Sequence, residues 1–235
     1  MKNTRHKLVA LLPMKFNSQR VPGKNFKNLC GKPLFRWMLD TLLSIQEIDL
    51  IVINTDAKSE LEKFGIVCTE RLLIRERISD ICGDSVSMNL VLNDDIKNID
   101  SEMYLMTHTT NPFLSVAAIK NALEVFGVKQ NINHHDSLFS VSKVQGRFYN
   151  SDRLAINHDP DNLVPTQELP PWYLENSNLY IFTADSFKKT NARIGERPIM
   201  FETNAIESVD IDTPEDWELA EALARYFLNK DTKAI

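Results

Sequence analysis

The stretch Leu8-Val9-Ala10-Leu11-Leu12-Pro13-Met14-Lys15-Phe16-Asn17-Ser18-Gln19-Arg20-Val21-Pro22-Gly23-Lys24-Asn25 joins a short apolar run to a polar, cationic loop. Five consecutive apolar residues that stop at a proline read as a buried strand. The loop carries Lys15, Arg20 and Lys24 within ten residues, separated by small and polar side chains. A triphosphate needs such surroundings: cationic side chains, and backbone N–H groups brought close by glycine and turn residues. An exposed basic loop has the same composition. The spacing does not fit G-x-x-x-x-G-K-[ST], which excludes the usual P-loop, and G-x-G-x-x-G is absent, which argues against a dinucleotide reader.

Outward from this strand, helices and strands alternate. Pro33 suits the first turn of a helix through Trp37, Leu39, Leu42 and Leu43. Leu50-Ile51-Val52-Ile53 is a second buried strand, ending at Asn54-Thr55-Asp56. A short helix (57–64), a strand at Ile66-Val67-Cys68, a helix over 87–96, a strand at Met103-Tyr104-Leu105-Met106 and a helix over 116–126 follow. Such alternation implies βαβ units, hence an α/β fold with a mainly parallel, Rossmann-like sheet flanked by helices. In open sheets of this kind the ligand lies beyond the carboxyl ends of the strands. The loops 13–25, 54–56 and 107–114 fall there.

The alternation weakens over 140–173, which holds Arg147, Phe148, Tyr149, Trp172 and several prolines without a helical period. This stretch reads as an excursion from the sheet, with the α/β domain made of 1–139 and 174–235. Order returns with strands at Leu179-Tyr180-Ile181-Phe182 and over 206–211, and Pro214 opens a final helix. On a strand over 206–211, Asp210 and Asp212 would share a face, with Ile211 pointing into the core. Adjacent carboxylates repel unless a cation or protons compensate. Magnesium prefers one or two carboxylates together with substrate phosphates. Alternatively one of the two caps the following helix and the other is solvated; Thr213 before Pro214 can take the cap and free Asp212.

The chain has 235 residues, 43% hydrophobic and 25% charged, which suits one α/β domain with a small appendage. A net charge of −5 argues against nonspecific nucleic-acid binding. Cys30, Cys68 and Cys82 contain no close pair, against a disulfide framework or a zinc knuckle. The apolar run 8–12 is too short for a signal peptide or a membrane span, so the expected setting is the reducing cytoplasm.

Taken in order, these motifs resemble the CMP-sialate synthetase family of cytidylyltransferases, which takes in enzymes for other acidic nonulosonates and is related to the CMP-KDO synthetases. The opening loop, 14–25, looks like A-R-x-x-S-x-R-[IL]-P-x-K-N, trailed by Gly31-Lys32-Pro33-Leu34. Asn54-Thr55-Asp56 looks like S-T-D. Arg77, Cys82-Gly83-Asp84 and Ser87 resemble R-P-x-x-L-x-x-D-x-x-S, and 107–114 stands where the family has L-Q-P-T-S-P-L-R. The stretch 175–180 resembles x-N-G-x-x-Y, and Ser208-Val209-Asp210-Ile211-Asp212-Thr213 with Asp216, Ala220 and Glu221 resembles D-I-D-T-x-x-D-x-x-x-A-E. Lys15 stands where Arg is usual, Gln19 where Lys is common, and Phe16-Asn17 where small residues are. His108-Thr109-Thr110-Asn111 replaces Gln-Pro-Thr-Ser, and Ser177 replaces Gly.

The resemblance implies transfer of CMP from CTP to the anomeric hydroxyl of a 2-keto-3-deoxy sugar acid, with release of pyrophosphate. Lys15, Ser18, Arg20, Lys24 and Asn25 would hold CTP, with Asn54 and Arg77 near the cytidine. Asp210 and Asp212 would ligate magnesium and, with Arg20 and Lys24, form the catalytic set. His108, Thr110, Asn111, Gln167, Asn176 and Tyr180 would meet the sugar. The excursion would build a homodimer and reach over the partner's site. The rivals are a cytidylyltransferase for KDO or a phosphonate, and a noncatalytic nucleotide-binding paralogue. Asn25 after Lys24 favours the nonulosonate branch, and retention of both aspartates favours an enzyme.

Overall fold

Leu8, Ala10 and Leu12 at the first strand face a core shared with Phe35, Met38, Leu39, Ile119 and Phe126, while Val9 and Leu11 face a second core with Leu92, Ile96 and Phe187. That two-sided burial is why the run is apolar at every position rather than at alternate ones. The computed structural model describes residues 5–231. In chain order the elements are β1 (His6–Leu11), the short strands β2 (Asn28–Leu29) and β3 (Lys32–Pro33), α1 (Leu34–Leu43), β4 (Leu50–Thr55), α2 (Lys58–Lys63), β5 (Leu72–Glu76), α3 (Met88–Asn98), β6 (Ser101–Thr107), α4 (Val116–Asn133), β7 (Ser137–Val144), β8 (Trp172–Thr183), α5 (Ala184–Thr190), β9 (Pro198–Glu202) and α6 (Pro214–Asp231).

Seven strands form one sheet in the order β5-β4-β1-β6-β8-β7-β9. Only β8 runs against the rest, pairing antiparallel with both β6 and β7. The mainly parallel α/β fold is therefore as expected. The chain leaves β1 towards β4 and β5, then returns to β6 on the other side of β1. Connections diverge at that point and leave a crevice beyond the carboxyl ends of β1 and β6.

Three local expectations are corrected. Ile66-Val67-Cys68 forms no strand: only Ile66 is buried, and the place beside β4 goes to β5, which buries both Leu72 and Ile74. Residues 206–211 form no strand either. The Asn204 Oδ1 accepts from the N–H groups of Ile206 and Glu207, each at 3.0 Å, which curls the chain into a turn. The sheet edge there is β9, paired with β7. Finally, β7 runs on to Val144 opposite Trp172, so only 145–171 leaves the sheet. A register shift between Phe139 and Val141 interrupts the alternation by which the strand would have been recognised.

Candidate active site

Pro22 and Gly23 turn the loop after β1 back towards the sheet. Gly23 has φ +64°, a left-handed conformation that a residue with a Cβ resists, and it starts the 3-10 turn Lys24–Phe26. That turn buries Lys24, which is 7% exposed. Its Nζ donates to the Ile211 carbonyl at 2.5 Å and lies 3.1 Å from Asp212 Oδ1. Arg20 holds the other oxygen, Nη2 to Asp212 Oδ2 at 2.9 Å. Asn25 donates to the Lys15 carbonyl (2.7 Å) and accepts from the Thr109 hydroxyl (2.6 Å), tying the loop to the end of β6.

Asp212 is free for these cations because Thr213 and Asp216 cap α6 reciprocally. Thr213 Oγ1 accepts from the Asp216 N–H at 3.2 Å, and Asp216 Oδ2 accepts from the Thr213 N–H at 2.8 Å. Asp210 sits behind, with Oδ1 buried and without a hydrogen-bond partner. Burial raises its pKa first of all, and the Asp212 charge adds to this against the pull of Thr110 and Lys24. The two carboxylates thus lie close enough to repel, although no strand holds them.

Arg77 closes the opposite wall. Its Nε donates to Asn54 Oδ1 at 2.8 Å, and its Nη2 to the carbonyls of Met14 (3.1 Å) and Asn54 (2.8 Å). Burial lowers its pKa. Asn54 is itself fully buried, and donates onward to Asp95 Oδ1 at 2.8 Å. It therefore orients Arg77 from beneath the site. Lys15 pairs with Asp84, which also accepts from Gln19 at 2.5 Å; the Lys15 hydrogen bond holds the Asp84 carboxyl below its ordinary pKa.

These groups enclose a cavity of about 400 Å³ at the switch point. Lys15, Ser18, Arg20, Lys24, Asn25, Arg77, His108, Thr110 and Asp212 line it, as do Gln19, Asp84 and Thr109. Lys15, Arg20, Lys24 and Arg77 outnumber the carboxylates Asp84 and Asp212, so the cavity suits a polyanion. His108 adds no charge: burial, then the neighbouring Arg193, push its pKa down to about 3.

Four residues expected at the sugar do not line this cavity. Asn111 is buried and donates to the Val209 carbonyl at 3.3 Å. Asn176 spends its side chain on Ser140, Ser142, Thr203 and Ser208. Tyr180 is buried in β8, its hydroxyl against Glu175 and Ser177. Gln167 lies on the excursion, where its carbonyl accepts from Gln145 at 3.3 Å. Sequence reasoning missed Arg193, which lies in the loop after α5 and carries no motif. It does not itself line the cavity but contacts a residue that does, because β6 and β8 are neighbours: its Nη1 is 3.4 Å from His108 Nε2.

The family model described as cytidylyltransferase matches residues 9–234. The chain belongs to the cytidylyltransferase family. Cytidylyltransferases are nucleotidyltransferases, in keeping with a polyanion cavity at the sheet's switch point. The chain is 26% identical over 226 residues to the CMP-N,N'-diacetyllegionaminic acid synthase of Legionella pneumophila, spanning 92% of this chain and 96% of that protein. It is 23% identical over 231 residues to a pseudaminic acid cytidylyltransferase of Campylobacter jejuni, spanning 92% and 96%. With the N-acylneuraminate cytidylyltransferase of Oncorhynchus mykiss it shares 27% over 223 residues, 91% of this chain but about half (49%) of the longer fish protein. Among solved structures, a CMP-2-keto-3-deoxy-manno-octonic acid synthetase complexed with CTP superposes with a TM-score of 0.65 at 15% identity, covering 94% of this chain and 99% of that one. A likeness at that identity carries the fold alone.

Proposed function

We propose that this cytidylyltransferase transfers CMP from CTP to the anomeric hydroxyl of a nonulosonic acid, an acidic 2-keto-3-deoxy sugar. The observation that carries the reading is the cavity in which four cations face two carboxylates, with the half-buried Asp210 and its buried Oδ1 behind them. The names of the full-length relatives, which act on legionaminic and pseudaminic acids, supply the acceptor class.

In this reading Lys15, Arg20 and Lys24 hold the triphosphate, and Arg77, fixed by Asn54, faces the nucleoside. The sugar hydroxyl attacks the α-phosphorus, the bond to the bridging oxygen breaks, and pyrophosphate leaves with that electron pair. Lys24 and Arg20 meet the charge that grows on the leaving group, which is where such enzymes place most of their catalysis. His108, held neutral, is too weak a base to keep the released proton, which passes to solvent. Asp210 and Asp212 fit a magnesium ion: an orphaned carboxylate oxygen next to a second carboxylate is the small donor set that this ion completes with phosphates and water. When bound, it would neutralise phosphate charge and lower the hydroxyl's pKa.

The excursion supports a homodimer. Tyr149, Leu154, Ile156 and Leu163 on the excursion, and Trp172, Tyr173 and Leu174 at the adjoining start of β8, are exposed apolar side chains, of the kind that a subunit interface covers. Cys30, Cys68 and Cys82 are free thiols, in keeping with a reducing cytoplasm. No helix among the described residues is long and apolar enough to cross a membrane.

Pyrophosphate release should be measured with CTP, UTP, ATP and GTP against a panel of nonulosonic acids and KDO, in magnesium. CTP with a nonulosonic acid should give the fastest release. Turnover with KDO alone would move the acceptor class, and no turnover with any acid would overturn the reading.

A further inference from the structure

The guanidinium of Arg193 is only 20% exposed, yet no hydrogen bond of ordinary length joins it to an oxygen acceptor among the described residues. Its Cζ lies over the Tyr180 ring, 3.8 Å from the centroid. Nη2 is 3.6 Å from Glu175 Oε1, beyond hydrogen-bond reach, and that oxygen already accepts the Tyr180 hydroxyl. Nη1, on the other edge, meets the sulfur of Met106 at 3.8 Å and His108 Nε2 at 3.4 Å. A half-buried guanidinium normally satisfies its fork with carboxylate, phosphate or carbonyl oxygens. This one has a ring beneath it and soft or weak partners on its inner edge.

Its loop is held rigidly. The Asp136 carboxylate accepts from the N–H groups of Glu196 (2.9 Å) and Arg197 (3.0 Å), and the Gly195 N–H donates to Ser137 Oγ at 2.8 Å. A Cβ at Gly195 would stand 2.3 Å from Ser186 Oγ and 2.4 Å from Asp136 Oδ1, so the loop closes onto α5 and β7 with no space for a side chain. The Arg193 N–H is tied in turn to Asn89 Oδ1 at 3.3 Å. Stacking and anchoring give the guanidinium a fixed position, and a preorganised fork loses little entropy on binding.

We propose that Arg193 receives the carboxylate of the acceptor sugar. The inference rests on the acidic-sugar reading above and adds a specificity residue to it. In a 2-keto-3-deoxy sugar acid the carboxylate is bonded to the anomeric carbon, the same carbon that carries the attacking hydroxyl. Its receptor must therefore lie beside the phosphoryl-transfer cluster. Arg193 stands next to that cluster through His108, which lines the cavity with Lys24 and Asp212 and lies 3.4 Å from Arg193 Nη1. Glu175 stands 3.6 Å from the outer nitrogen, and the inner one has only the Met106 sulfur and His108 Nε2 as partners, so no oxygen acceptor among the described residues competes at hydrogen-bond distance with an incoming carboxylate.

The test compares a nonulosonic acid with its C1-carboxamide, at saturating CTP, in the wild-type protein and in Arg193→Gln and Arg193→Lys. The wild type should favour the acid. In Arg193→Gln, kcat/KM for the acid should fall roughly 10- to 100-fold, mainly through KM, as expected for loss of a charge-assisted pair. The carboxamide rate and the KM for CTP should stay within about twofold, because neither uses this charge. Arg193→Lys should lie between, since an ammonium keeps the charge but not the fork. An unchanged acid-over-amide ratio in either folded variant overturns the proposal. If Arg193→Gln fails to fold, Arg193→Lys decides by the same ratio. A wild type that uses no acid overturns the acidic-sugar reading and this inference together, whereas an active wild type with an unaffected ratio in the variants overturns the inference alone.

Discussion

Lys24 Nζ lies 3.1 Å from Asp212 Oδ1, a pairing that spans 188 residues of sequence and joins the first loop of the sheet to the turn before the last helix. The lysine is buried and the aspartate is 41% exposed, so one end of the pair is fixed and the other faces the cavity. A cation held in this way is ready for phosphate, and a carboxylate so placed is ready for a metal.

Asp212→Asn should fold normally, because the Thr213–Asp216 cap does not use the Asp212 side chain. Turnover should drop by about 100- to 1000-fold, the usual cost of removing one electrostatic group from a transition-state site. Steady-state pyrophosphate release, with circular dichroism as the folding control, checks it. Wild-type rates in the folded variant would remove Asp212 from the chemistry.

Lys24→Ala should raise the KM for CTP and lower kcat as well. It removes a charge from the phosphates and releases the Ile211 carbonyl from its 2.5 Å hydrogen bond. Charge-assisted contacts of this kind contribute about 1.5–3 kcal/mol each. Initial-rate kinetics over a CTP titration separate the two parameters, and a variant with both unchanged would make Lys24 purely structural.

Asp95 should impose a pH dependence on stability. Burial lifts its pKa to about 6, against the opposing pulls of Asn54 and Arg75. A carboxyl raised in the folded state binds its proton more tightly there than in the unfolded chain. Its stabilising share is therefore complete below the unfolded value of 3.8 and is lost as pH rises to about 6. The loss amounts to about 3 kcal/mol over that window. Urea unfolding at intervals between pH 4 and 7 should show this component in the wild type and not in Asp95→Asn. Identical pH profiles for the two would contradict it.

Dilution should reduce specific activity if the excursion carries a dimer whose sites are shared. Light scattering at micromolar concentration should give twice the monomer mass, and Trp172→Asp should shift it towards the monomer. Trp172 stacks on Phe148 at 5.0 Å and is still 42% exposed. A monomeric wild type would refute the assembly.

Much of this architecture was legible in the chain itself. The runs at Leu8-Val9-Ala10-Leu11-Leu12 and Leu50-Ile51-Val52-Ile53 can only be strands covered on both faces, because no side of them tolerates water. The cations of the first loop and the aspartates before α6 are local spacing, and local spacing survives in the fold: Lys15, Arg20, Lys24 and Asp212 line one cavity. What failed was geometry inferred from an assumed element. Asp210 and Asp212 are neighbours although no strand spaces them, because the Asn204 turn and the edge strand β9 displaced the one expected. Asn54 stands beneath the site and Arg193 at its edge for reasons that lie outside their own segments. The first depends on the stacking of β4 against α3, the second on an antiparallel β8 laid next to β6. Sequence periodicity reports which face of an element is dry. Which distant elements share that dry space is decided only when the sheet orders its strands, and side chains far apart in the chain then meet.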